Sequence, residues 1–152
     1  MDPVPYADLA ISPAQDEVAA TQETAPSVPT DGCVRVAVTV TNDGTRRGTE
    51  VVQLYLSDPV ASVVRPVRQL AGWSRIQLDP GESARVEFTL HADRTSFTGR
   101  DVRRIVEPGE IKVAVGASST DLRLCGSFVL AGPTRVLDHN RVLTVPTTIT
   151  RL

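Results

Sequence analysis

The sequence predicts an all-β fold in which seven strands pack as two facing sheets. Three observations predict it. Valine and threonine crowd several stretches, and their branched β-carbons are stiff and pack well on a half-buried pleated surface. Within those stretches apolar residues recur at every second position, the period of a strand with one buried face. Eleven prolines and ten glycines punctuate them, and no helical period runs beyond two turns. At 152 residues the chain is the size of one domain. A domain of that size buries roughly 68–70% of its unfolded surface, enough to fold without staples.

The elements follow in order. Tyr6 to Ile11 reads as a short first strand. Residues 12 to 32 hold Pro13, Pro26, Pro29 and Gly32 among small and polar residues, and read as a mobile loop. From Cys33 to Thr41, Val34, Val36, Val38 and Val40 share one face. Asn42-Asp43-Gly44 then suits a turn that needs positive φ. Glu50 to Ser57 places Val52, Leu54 and Leu56 inward, with Val51, Gln53 and Tyr55 opposite. Pro59 ends that strand, because proline lacks the N–H a ladder requires. Leu70 to Leu78 forms a fourth strand with Ile76 and Leu78 inward, so Trp73 shares the outward side with Arg75 and Gln77.

Asp79-Pro80-Gly81-Glu82 has turn chemistry: proline presets φ near −65° and glycine accepts positive φ. Val86, Phe88 and Leu90 alternate along a fifth strand. Glu107-Pro108-Gly109-Glu110 repeats the turn, read as a second hairpin, and Ile111, Val113 and Val115 follow on one face. A strand from Leu122 to Leu130 completes a seven-stranded immunoglobulin/fibronectin type III-like sandwich. Three regions result. Residues 1–32 are a first strand plus a Pro-rich loop, 33–131 are the sandwich core, and 132–152 are an extension. That extension keeps Val136, Leu137, Val142, Leu143 and Val145, material for an edge strand or for a partner.

Composition excludes several function classes. Net charge is −2 and the arginine pairs Arg46-Arg47 and Arg103-Arg104 stand alone, without the basic stripe that nucleic-acid binding requires. Lys112 is the one lysine against fifteen arginines, a composition that points to a GC-rich bacterial genome. No apolar run approaches the roughly 20 residues of a membrane helix, and the N-terminus has no signal-peptide pattern. Alternation puts Cys33 and Cys125 on outward faces of different sheets, beyond the roughly 7 Å between α-carbons that a disulfide allows, so both are expected as free thiols.

Chemistry is sparse as well. The two histidines, His91 and His139, have no Gly-x-Ser-x-Gly elbow to serve. No His/Cys cluster offers a metal site, and no Gly-rich loop feeds a helix that could hold a phosphate, so no cofactor is expected. Asp58, Glu82, Asp93, Asp101, Glu107, Glu110 and Asp121 fall at turns or strand ends, where carboxylates bond nearby backbone amides. The outward Trp73 is either an interface anchor or a side chain folded over the sheet edge. Free sugar binding by a single tryptophan is disfavoured.

Several segments, in order and spacing, carry a family resemblance. They are Val38-Thr39-Val40-Thr41-Asn42-Asp43-Gly44, then Gly48-Thr49-Glu50-Val51-Val52-Gln53-Leu54-Tyr55-Leu56-Ser57-Asp58-Pro59. Arg65-Pro66-Val67-Arg68-Gln69-Leu70-Ala71-Gly72-Trp73 follows, with Leu78-Asp79-Pro80-Gly81-Glu82-Ser83, Val106-Glu107-Pro108-Gly109-Glu110 and Val115-Gly116-Ala117-Ser118-Ser119. From about Val34 to Asp121 the chain resembles the C-terminal fibronectin type III-like domain of family-3 glycoside hydrolases, the β-glucosidase and β-xylosidase group. The resemblance implies a non-catalytic accessory domain that braces a barrel carrying the aspartate nucleophile and an α/β sandwich carrying the acid/base. Those catalytic domains are then its partners. Asp58 belongs to the strand motif, not to a nucleophile segment. Arg65, Pro66, Leu70 and Trp73 are the candidate contact residues. A carbohydrate-binding module and an adhesion-type fibronectin domain are the alternatives. The stretch Ser12–Asp31 and the residues after Gly132 exceed the family's usual length.

Overall fold

The computed structural model describes residues 5–13, 25–58, 68–99, 102–138 and 140–152. Its strands are β1 (Tyr6–Pro13), β2 (Ser27–Pro29), β3 (Cys33–Thr41), β4 (Gly48–Ser57), β5 (Gln69–Leu78), β6 (Ser83–His91), β7 (Phe97–Thr98), β8 (Arg104–Val106), β9 (Gly109–Ser118), β10 (Asp121–Ala131), β11 (Arg135–Val136) and β12 (Thr147–Arg151). A 3-10 turn, Ala92–Thr95, follows β6. One sheet runs β1-β3-β6-β12, a second runs β2-β10-β9-β4-β5, and a small third is β11-β8-β7. The all-β sandwich class agrees with the alternation of the sequence. The strand number exceeds seven, because five short strands join the seven long ones.

The period-two positions form the core. Val34, Val36, Val38 and Val40 of β3 are buried against Val52, Leu54 and Leu56 of β4 and Val86, Phe88 and Leu90 of β6; Ile111, Val113, Val115 and Phe128 complete the layer. Cys33 and Cys125 are free, on strands of different sheets. The loop expected from residue 12 to 32 is shorter than its composition suggests. β1 continues to Pro13, and β2 lies parallel to β10 with Val28 opposite Leu130; residues 14–24 fall outside the described residues. Val28 is buried, and backbone bonds from Val129 N–H to Pro26 O and from Thr30 N–H to Ala131 O hold β2 on β10.

The Pro-Gly turns are not hairpins. Asp79–Glu82 closes a tight turn, Gly81 having φ +79° and Glu82 N–H donating to Asp79 O at 2.9 Å. Yet β5 and β6, which it joins, lie in opposite sheets, and Pro108-Gly109 likewise links β8 and β9 of different sheets. The first crossover is tied to the β3–β4 crossover by Asn42. Its buried amide donates to Arg46 O at 2.8 Å and Leu78 O at 2.9 Å, while its backbone bonds Glu82 O and Gly81 N–H. Asn42, more than Gly44, therefore shapes this end of the sandwich, because a buried amide must find partners for both its donors and its acceptor.

The two open seams between the sheets are closed by the first and last strands. On one side β1 packs on β10, with Leu9 and Ile11 over Gly126. On the other, Asn140–Pro146 runs between the edges of β5 and β6 before β12 pairs with β6. Val145 rests against Gly72 and its β-carbon lies near the same glycine as Phe88.

Candidate interdomain surface

β5 is the edge of the five-stranded sheet. Its register against β4 slips between Leu54 and Tyr55, so Gly72 opposes Leu54 and Leu70 opposes Tyr55, with Ala71 skipped. This bulge puts Leu70, Trp73 and Arg75 on the outer face, with the buried Ala71 turned inward. Trp73 is 59% exposed and Leu70 44%. Around them, Tyr55 donates its hydroxyl to Gln53, and Gln53 Nε2 donates to Ala117 O at 3.1 Å. Arg68 donates to Ser119 O at 3.2 Å, pinning the start of β5 to the β9–β10 turn. Of the four sequence candidates, the structure therefore brings Leu70 and Trp73 onto one face; Arg65 and Pro66 lie outside the described residues.

The neighbouring flank holds a cluster that the sequence presents as an ordinary turn. Asp93, expected among carboxylates that bond nearby backbone amides at turns, is 4% exposed. Its carboxylate pairs with Arg135 and accepts Val142 N–H at 2.9 Å, and His91 Nδ1 lies 3.4 Å away. His91 Nδ1 also accepts Asp93 N–H at 3.0 Å, capping the 3-10 turn. Arg135 donates twice more to Thr30 O, at 3.0 and 2.7 Å. Burial pushes the Asp93 carboxyl up, but the Val142 and Arg135 hydrogen bonds with the nearby positive charge outweigh it and hold the group below the ordinary carboxylate range. The next residue, Arg94, donates to Leu70 O at 2.8 Å. Adjacent residues of one short turn thus hold β5 and the segment at Val142. The only sequence signal for that segment is its run of Val142, Leu143 and Val145; nothing local marks Asp93 as its anchor, since the partners lie 42 and 49 positions away.

A second polar cluster seals the opposite seam. Glu50, at an inward position of β4, is 7% exposed. Arg123 stands 5.2 Å from the centre of the Tyr6 ring and binds Asp121 through two bonds of 2.7 and 2.8 Å. The buried Tyr6 hydroxyl makes no hydrogen bond of ordinary geometry, although Glu50 lies near enough to influence it; burial first, then the Glu50 charge, raises its pKa. Burial likewise raises Glu50, with Arg123 opposing, and the Arg123 bond lowers Asp121. Two carboxyls with opposite shifts resemble an acid/base pair. Glu50, however, is buried in the seam, with Tyr6, Arg123 and Asp121 acting on it.

Two concavities among the described residues are small or plain. A crevice beside Asp58, lined by Leu56, Gln69, Arg94 and Ile111, encloses about 10 Å³, room for one water and not for a sugar ring. A shallow depression of about 640 Å³ over residues 42–49 is lined by Thr45, Arg46, Arg47 and Thr49 and has no carboxylate in its wall. Among the described residues no three His, Cys, Asp or Glu side chains group as metal ligands.

Known proteins share this fold and much of this sequence. Residues 50–119 fit the family model of the fibronectin type III-like domain. A β-xylosidase of Formosa agariphila is 44% identical over 93 residues, which is 61% of this chain and 13% of that protein. The periplasmic β-glucosidase of Salmonella typhimurium is 40% identical over 105 residues, 69% of this chain and 14% of its own length. Among solved structures, a β-glucosidase from Erythrobacter marinus superposes with TM-score 0.70 at 32% identity, covering 84% of this chain and 15% of the other. One from Listeria innocua superposes with TM-score 0.70 at 28% identity, over 86% and 16%. The chain thus spans only a small fraction of the relatives it matches.

Proposed function

Because this chain carries the fibronectin type III-like domain of family-3 glycoside hydrolases, we propose that it is a non-catalytic brace for the catalytic domains of a β-glucosidase-like or β-xylosidase-like enzyme. The observation that carries this reading is the outer face of β5, where Trp73 and Leu70 stand exposed on an edge strand whose other apolar positions are buried. An exposed tryptophan with an aliphatic neighbour and hydrogen-bonded polar groups around it is the composition of an interface anchor. The buried strands supply rigidity, and the outer face supplies the contact. Bond cleavage belongs to the larger part of the enzyme, since the matched relatives keep more than four-fifths of their length outside this region.

The test is to measure binding of the chain to a separately produced catalytic portion of the parent enzyme by titration calorimetry. Trp73→Ala is expected to weaken it by about tenfold or more, the effect of losing a central aromatic anchor. Equal binding by both forms removes Trp73 from the contact. Hydrolysis of an aryl glycoside by the pure chain would overturn the non-catalytic assignment. Retardation of the chain in a polysaccharide gel would favour the sugar-binding alternative.

A further inference from the structure

The segment Asn140–Pro146 leads into β12 and meets the edge of β5 at Gly72. Val142 is fixed by Asp93, whose neighbour Arg94 holds Leu70 O; Val145 rests on Gly72; and after β12 has begun, Arg151 donates to Gln77 O at 2.7 Å. The segment is held firmly by its backbone, yet two of its apolar side chains remain outside. Val142 is 44% exposed and Leu143 41%, while Val145 alone of this run turns into the seam. Burying one of three apolar residues is enough to close the sandwich. It leaves Val142 and Leu143 exposed, with the Val142 backbone tied to Asp93, whose neighbour Arg94 binds Leu70 O.

We infer that Val142 and Leu143 form the second half of the docking surface, and that the Asp93–Arg135 clasp exists to present them to the catalytic portion of the parent enzyme. This rests on the bracing function proposed above and extends it to a segment beyond residues 50–119 that match the family model. The occupant is a protein surface belonging to the rest of the same polypeptide. The relatives matched by this chain carry more than four-fifths of their length outside it, so the flank has a large neighbour available in every such enzyme. Four exposed apolar side chains contributed by two tethered segments make a two-sided anchor, and apolar groups desolvated together at an interface centre carry most of its affinity. Asp93 acts as a positioning residue, because it touches Val142 through the backbone and leaves the side chain free.

The experiment compares the chain with a Val142→Asp/Leu143→Asp variant and with Trp73→Ala, all titrated against the same catalytic portion, with thermal unfolding recorded for each. Both positions are solvent-facing, so the double variant is expected to melt within a few degrees of the parent chain. Its binding is expected to fall by about tenfold or more, as for Trp73→Ala. If Trp73→Ala weakens binding and the double variant does not, the docking face is confined to β5 and this inference is overturned while the bracing function stands. If the unmodified chain does not bind the catalytic portion, the bracing function itself fails, and this inference with it. If the chain alone sediments as a dimer that the double variant disrupts, the occupant is a second copy and the assignment to the catalytic portion is wrong. Should the double variant melt early, Leu143→Ser alone supplies the same comparison.

Discussion

Glu50 sits in register with Ile76 on the buried face of β4, a position that the alternation Val52, Leu54, Leu56 reserves for an apolar side chain. Burial raises its pKa, and Arg123 offsets part of the cost; Tyr6 and Asp121 are the other ionisable groups that act on it. A carboxyl whose folded pKa lies above its unfolded value, about 4.3, is most favourable to folding below that value. Its contribution is lost as pH rises through the folded pKa. Glu50→Gln is therefore expected to gain stability relative to the parent chain between pH 4 and pH 7. Urea unfolding at the two pH values measures it, and a difference independent of pH would refute the assignment. Gly116 has a simpler reason. A β-carbon there would lie 2.2 Å from Asp121 O and 2.7 Å from Leu122 Cα, so the bulge between β9 and β10 admits glycine alone. Val102 is the converse case: a β-branched residue at φ +63° and 83% exposed, strained at the tip of the β7–β8 hairpin.

At the scale of elements, β5 and β6 face each other as sheet edges, and edges left open invite pairing with other chains. Here the edge of β6 is paired by β12 and that of β5 is capped at Leu70 O by Arg94 and at Gln77 O by Arg151. Asp93 is the fastener of this arrangement. Its pKa is depressed, so the stability it contributes is present above the unfolded value of about 3.9 and is lost as pH falls through the folded one. Asp93→Asn should cost about 2 kcal/mol at pH 7, the range for a hydrogen bond to a charged group; Arg135 is partly solvated, which keeps the figure at the low end. The cost should shrink below about pH 4, and hydrogen exchange at Val142 and along Thr147–Arg151 should quicken. Unchanged exchange there would show that β12 holds itself without the clasp.

For the whole molecule, both seams of the sandwich are closed by chain that lies far in sequence from what it covers. A chain ending at Asp138 would lose β12 and Val145, exposing the β6 edge and the Phe88 side of the core. The loss of Val145 burial alone is worth about 1–2 kcal/mol. Such a chain should unfold at lower urea concentration and self-associate through β6 in sedimentation, whereas the full chain should not. A stable, monomeric truncation would mean that β12 is dispensable cover.

Period-two valines and Pro-Gly turns were enough, without coordinates, to specify an all-β sandwich and the outward direction of Trp73, because burial on one face is a local property of alternate residues. The destination of each strand was not legible. A Pro-Gly turn has the same φ preferences whether its flanking strands pair or part, and only the packing of the two sheets makes Asp79–Glu82 a crossover. Nor could local pattern separate Asp93 from the other carboxylates at turns, since its burial depends on Arg135 and Val142 arriving from distant parts of the chain. The contact of β5 with Asn140–Pro146 belongs to the same class: Gly72 and Val145 stand 73 positions apart, and tertiary packing alone brings them together.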